Sequence, residues 1–273
     1  AIAKSVGRSL SAHRSDVARI AGALKAADLP ELAPSTAPVD LTGDRPLTDG
    51  ELTGLIERID EWVRDPDRPL RLRLSGLASL VETLAGSRLD RVREEQFVEL
   101  VGMLASDLPR AAAEMQGLPL PPPTRRQLKL FRHSVFAHCE NVRLEEACAG
   151  LLTRWSYQWD QLRRARRLAA GRGAIPRLLH GHRGGTFEQL ESAKPDATWS
   201  PKDCDALLTR YLRARILGRT AFGHGYYGWP LLDGLRALLL TVALTGWVTR
   251  YVALSDGRTT FAYPDLIRAI GMV

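Results

Sequence analysis

At 273 residues the chain is long enough for one large domain or two small ones, and on folding it buries about three quarters of its extended surface. Hydrophobic residues at 45% and charged residues at 25% exclude a wholly disordered or fibrous chain. The net charge of +7, almost all of it arginine, favours an acidic partner or reflects a GC-rich coding sequence; its sign alone fixes no site.

Apolar residues recur at helical spacing nearly everywhere, and strand-like alternation is scarce, so the expected fold is all-α: an irregular bundle of eight or nine helices. A helix is expected over 10–27, followed by a linker over 29–43 with Pro30, Pro34 and Pro38. Thr48-Asp49-Gly50-Glu51 reads as a capping box, and Leu52, Leu55, Ile56, Ile59 and Trp62 line one face of the helix behind it. Pro66 and Pro69 forbid helix across 65–69. Helices are then expected to about 84 and over 89–115, the second bent at Pro109.

Pro119 and the triplet Pro121-Pro122-Pro123 form the clearest internal linker, dividing a subdomain over 1–117 from one over 124–273 unless the two are continuous. Thr124 caps the next helix. A longer helix over 143–170 carries Leu144, Cys148, Leu151, Trp155 and Leu162 at heptad-like spacing and stops at Gly171-Arg172-Gly173. Ser200-Pro201 opens a helix whose apolar face is Leu207, Leu208, Tyr211, Leu212 and Ile216. A glycine–aromatic loop over 222–230 follows. Next comes a helix to about 254, apolar on nearly all sides and expected to be the central buried element, with Leu235, Leu238, Leu239, Val242 and Trp247 in the core. Asp233, Arg236 and Arg250 interrupt its apolar run, which argues against a membrane span. Tyr263-Pro264-Asp265 starts a last short helix.

Reactive constellations are sparse. Cys139, Cys148 and Cys204 form no C-x-x-C pair and read as buried thiols of a reducing, cytoplasmic compartment. His133 and His138 lie five apart, on different faces of a helix, and His180 and His182 have no acidic neighbour, so no metal ligand set is expected. Arg132 to His138 fits the arginine–histidine spacing of helical HEPN ribonucleases. Five of the six histidines have an arginine at a qualifying distance, so that spacing discriminates little. Neither a phosphate-binding glycine loop nor a nucleophile elbow is present. Two arginine-rich stretches remain: Arg154, Arg163, Arg164, Arg166, Arg167, Arg172 and Arg177, then Arg210, Arg213, Arg215 and Arg219. Aromatic rings do not interleave with them as on a single-strand stacking platform, which argues against nucleic acid. The candidate binding or interface residues are Arg210, Tyr211, Arg215, Tyr226, Tyr227 and Trp229.

The string Leu208-Thr209-Arg210-Tyr211-Leu212-Arg213-Ala214-Arg215, then Gly218-Arg219, Phe222-Gly223, Tyr226-Tyr227-Gly228-Trp229 and Leu232-Asp233-Gly234-Leu235-Arg236-Ala237-Leu238, resembles the C-terminal helical region of cysteine-cluster proteins. These are the YkgJ-type proteins and the FliB-like flagellin lysine-N-methylases. Gly171-Arg172-Gly173 with Pro176, Phe187 with Leu190-Glu191, and Arg45-Pro46-Leu47-Thr48 fit the same layout. The resemblance implies a parent in which an N-terminal cysteine-rich segment binds a metal centre of iron–sulfur type and methyl groups pass from S-adenosylmethionine to lysines of flagellin. This chain has no cysteine cluster and opens without Met, and so reads as the helical companion of that segment. On that reading it carries no catalytic residue and no cofactor of its own. Its partners would be the cysteine-cluster domain and flagellin or another protein substrate. The alternative from another class is a non-enzymatic helical protein-interaction module.

Overall fold

The computed structural model describes residues 38–89, 91–117, 122–139, 151–178 and 184–273. The helix expected over 10–27, Leu144, Cys148, His180 and His182 lie outside them. In chain order the elements are β1 (Val39–Asp40), β2 (Pro46–Leu47), α1 (Asp49–Arg64), α2 (Leu70–Gly86), α3 (Glu94–Gly117), α4 (Arg125–Cys139) and α5 (Leu151–Ala170). They continue as α6 (Phe187–Ser192), β3 (Lys194–Pro195), α7 (Pro201–Leu217), α8 (Leu231–Ser255), β4 (Thr260–Phe261) and α9 (Tyr263–Met272). The fold is all-α: nine helices among the described residues, with two ladders of two-residue strands, β1–β2 antiparallel and β3–β4 parallel.

The chain forms two compact units, each discontinuous in sequence. One takes the described part of 32–121 together with Ser200–Val242. It therefore draws on sequence beyond the proline triplet, where the sequence division had 1–117 and 124–273 as contiguous halves. Ion pairs show why. Arg213 on α7 grips Asp60 on α1 through Nε at 2.6 Å and Nη2 at 3.0 Å, and Arg236 on α8 grips Glu82 on α2 at 2.8 and 3.0 Å.

Within this unit α1 starts as expected. Thr48 accepts from the Glu51 amide at 3.2 Å, and Glu51 accepts from the Thr48 amide at 2.9 Å. Leu52, Leu55, Ile56, Ile59 and Trp62 are all buried, and the Trp62 indole donates to the Arg73 carbonyl at 2.7 Å. Helix α3 begins at Glu94, five residues after Leu89. The Leu89 and Val92 carbonyls turn instead toward the Arg45 guanidinium, at 3.2 and 2.7 Å, which helix continuing from 89 would not permit. Phe97, Val101, Leu108 and Ala112 then line its buried face, across Pro109.

The other unit takes the described part of Pro122–Trp199 together with Ala243–Val273. Thr124 caps α4 by accepting from the Gln127 amide at 3.3 Å. Gly171, at φ +67°, stops α5 in the left-handed region where glycine has no steric penalty. Val135, Leu168, Phe187, Leu190, Val248 and Tyr251 form the core, and the Tyr251 hydroxyl accepts from the Leu178 amide at 3.0 Å. Arg258 holds Asp265 through two bonds of 2.8 and 2.6 Å, bracing the start of α9.

Helix α8 is the buried apolar helix that was expected, with 56% of its most apolar window buried, and by length and composition it is also long and apolar enough to cross a membrane. Two expectations about individual residues need correction. Leu235, Leu238 and Val242 are core, but Leu239 and Trp247 are half-buried and Leu240 is exposed. Asp233, Arg236, Leu240, Ala243, Gly246 and Arg250 make one exposed stripe at helical spacing, so α8 is amphipathic by position even where its exposed residues are apolar or small. Of the expected heptad face of α5, Trp155 and Leu162 are exposed, as is the neighbouring Trp159, and the buried positions among the described residues are Leu168 and Ala169.

Candidate functional site

The sequence-derived cluster lies in the unit containing α1, α2, α3 and α7. Ser200 caps α7 by accepting from the Asp203 amide at 3.3 Å, and the helix closes where the Gly218 amide donates to the Ala214 carbonyl at 3.1 Å. The chain then turns sharply. Arg219 takes φ +48°, and the Thr220 amide reaches back to the Arg215 carbonyl at 3.0 Å. Ala221 and Phe222 plunge into the core.

A knot follows over 223–229. The Gly223 carbonyl accepts from the Tyr226 and Gly228 amides, both at 2.9 Å, while the Gly223 amide donates to the Trp229 carbonyl at 2.8 Å. The turn needs left-handed backbone at Gly223 (φ +59°), Tyr227 (+56°) and Gly228 (+73°). For Tyr227 this geometry is costly, and it is held by the four backbone bonds closing the knot.

Tyr226 sits at the centre of the rings. Its centroid is 5.4 Å from Tyr227 and 5.3 Å from Trp229, both edge-on, the arrangement the ring quadrupoles favour. Tyr227 and Trp229 remain 64% and 44% exposed, unusual for large rings on a braced loop. Tyr211 and Arg215 are one turn apart on α7 and share a face. Burial pushes the Tyr211 phenol above its ordinary range, the Arg215 charge pulls it back, and Tyr226 raises it again. Arg215 and Tyr226 are thus each within electrostatic reach of Tyr211. Arg215 is half-buried, and its Nε is buried with no hydrogen-bond partner among the described residues.

Of the six candidate residues, Tyr211 thus has Arg215 and Tyr226 as neighbours, and Tyr226 meets Tyr227 and Trp229. Arg210, about 100° round the helix from Tyr211, is exposed on another face. Arg213 is diverted into the Asp60 pair, which sequence spacing did not signal. Thr209, not among the candidate site residues, is tied down by the buried Arg73 guanidinium, whose Nη1 donates to its hydroxyl at 2.8 Å.

The raised Tyr211 pKa has a pH consequence. A phenol whose folded pKa lies above its unfolded value of about 10 contributes stability below that value, and the contribution is lost as pH rises through the folded pKa. Tyr211→Phe should thus flatten part of the fall in stability above about pH 10. Urea midpoints across the alkaline range check this, and parallel curves for variant and wild type would refute it.

The remaining constellations are committed elsewhere. The Arg132 guanidinium lies over the Phe187 ring at 5.2 Å, and His138 Nδ1 is 2.8 Å from the Ser134 carbonyl. Arg164 pairs with Asp160 at 2.9 Å, while Arg163, Arg166, Arg167, Arg172 and Arg177 are exposed. Cys139 and Cys204 are buried, and burial pushes the Cys204 thiol up. Among the described residues no three His, Cys, Asp or Glu side chains come together as a metal-holding group. No protein-family model matches the chain, and comparisons with curated proteins and with solved structures likewise find no match.

Proposed function

We propose that the chain is the helical holding region of a cysteine-cluster, lysine-N-methylase-like protein, gripping an acidic protein surface while contributing no reacting group. The observation that carries this is Arg215, whose buried Nε has no partner among the described residues, on the helix that leads into a braced knot with the exposed rings of Tyr227 and Trp229. A buried N–H left without an acceptor costs roughly 1–3 kcal/mol, so the site gains when a carboxylate arrives. Rigid exposed aromatics beside an arginine are the chemistry that dominates protein interfaces.

A substrate lysine is itself cationic, and Arg215 repels it. The arginine suits an acidic face of the cysteine-cluster domain, or acidic residues flanking a target lysine, and the domain contact is favoured. The fork geometry of guanidinium matters, since lysine offers only a point charge. The second reading, a protein-interaction module with no part in methyl transfer, uses the same surface and differs only in its partner.

In the full-length protein, Arg215→Glu should lower association of this region with the cysteine-cluster domain by about tenfold or more, as truncating a buried interface charge does. Lysine methylation of a flagellin substrate should fall with it, and the thermal midpoint should stay near wild type. Arg215→Lys should be intermediate. Loss of association without any methylation in the wild type would favour the second reading. Wild-type association and wild-type methylation in Arg215→Glu would dismiss both.

A further inference from the structure

The same unit carries a concave feature that uses none of those residues. Helices α1 and α3 touch closely at Gly54, where a Cβ would stand 3.1 Å from Val98 Cγ2. One turn to each side the contact opens. A Cβ at Gly102 would meet nothing within 4 Å, and one at Gly50 only the Thr48 hydroxyl, at 4.0 Å. The result is a groove of about 620 Å³ with Val98 on its floor.

Its charge is one-sided. Glu95 and Glu99 stand one turn apart on α3 with Glu94 at the end of the row, and all three line the groove. Their side chains make no hydrogen bond or ion pair among the described residues. The other charged groups are already matched: Glu51 by Arg45 at 3.0 Å, and Arg58 by Glu61 at 3.0 Å. Like charges one turn apart oppose helix formation, so the row is relieved when a cation binds. The acidity also runs against a chain whose net charge is +7.

We propose that this groove receives a lysine- or arginine-bearing amphipathic helix of a partner protein. The apolar face of that helix would lie on Val98 and over the open glycine positions, with the long cationic side chains reaching Glu94, Glu95 and Glu99. Aliphatic stems along an apolar floor with charged heads at an acidic rim satisfy both parts of the groove. Charge complementarity selects this occupant: an acidic helix would face three unmatched carboxylates.

The test uses the whole chain and a fluorescein-labelled amphipathic peptide of lysine and leucine at helical spacing, with a glutamate-for-lysine counterpart as control. Fluorescence anisotropy should show salt-sensitive binding of the lysine peptide alone. Glu95→Lys combined with Glu99→Lys should weaken it by about tenfold or more. Gly102→Phe should block it without lowering the thermal midpoint, because that position faces open space. Equal binding of the glutamate peptide, or unchanged affinity in either variant, would overturn the proposal. So would a lowered midpoint in Gly102→Phe, which would mean that the chain itself fills the groove.

Discussion

Glu51→Ala should destabilise the protein by about 3–5 kcal/mol, the cost of breaking a buried ion pair by removing one partner. Glu51 is 1% exposed and Arg45 4%. The Glu51 carboxylate accepts from Arg45 Nη2 at 3.0 Å, from the Glu94 amide at 3.0 Å and from the Thr48 amide at 2.9 Å. One side chain thus closes the cap of α1, starts α3 and neutralises Arg45. The guanidinium also lies over the Phe97 ring at 4.3 Å and donates to the neutral Leu89 and Val92 carbonyls. Glu51→Gln keeps the shape and removes the charge, and should fall between alanine and wild type. Glu61→Ala removes an exposed partner of Arg58 and should change stability by less than about 1 kcal/mol. Urea unfolding with a constant slope reads all three. A Glu51→Ala loss no larger than that of Glu61→Ala would show that the buried pair is not formed.

The sequence made Glu51 legible only as a cap, because a capping box is local: its partner is three residues away. Its role as counter-ion depends on where the turn between β1 and β2 places Arg45 and on carbonyls more than forty residues further on. Asp60–Arg213 and Glu82–Arg236 join positions 153 and 154 residues apart, and no spacing rule encodes such pairs. Helix identity, caps and stops were legible for the opposite reason. Thr48, Thr124, Ser200 and Gly171 act on their own neighbours.

Burial was legible only where polarity marks the exposed side. On α8, Asp233, Arg236 and Arg250 mark the stripe, but Leu240, Ala243 and Gly246 within it are not polar and carry no such mark. On α5, Trp155 and Leu162 read as a packing face and are exposed. Of the candidate site, the pairing of Tyr211 with Arg215 follows from one helical turn, and the glycines at 223 and 228 announce a tight loop. That Arg215 Nε, and not Arg213 Nε, lacks a hydrogen-bond partner among the described residues depends on Asp60, which lies on a helix far away in sequence.

Two alanine substitutions in one helix should have opposite signs. At Gly234, in the first turn of α8, a Cβ would overlap the Ala221 carbonyl and stand 2.7 Å from Phe222 Cβ. The carbonyl is backbone and has no rotamer to take. Ala221 and Phe222 are 3% and 1% exposed, so neither has free space to retreat into. Alanine gains up to about 1 kcal/mol over glycine in a helix interior. Overpacking costs about 1–3 kcal/mol and more where relaxation is blocked, so it outweighs that gain and Gly234→Ala should be destabilising. At Gly246, exposed in the middle of the same helix, a Cβ would meet nothing within 4 Å. Gly246→Ala should stabilise the protein by about 0.4–1 kcal/mol through the reduced freedom of the unfolded chain. The residues displaced by Gly234→Ala lead directly into Gly223, whose backbone bonds close the knot. The variant should therefore shift the Tyr226–Trp229 ring contact and weaken association through Arg215 by more than its loss of stability alone explains. Tryptophan emission at native temperature, together with urea midpoints for both variants, decides the matter. If Gly234→Ala stabilises the protein as Gly246→Ala does, the first turn of α8 does not press on Ala221, and the knot is not braced from behind.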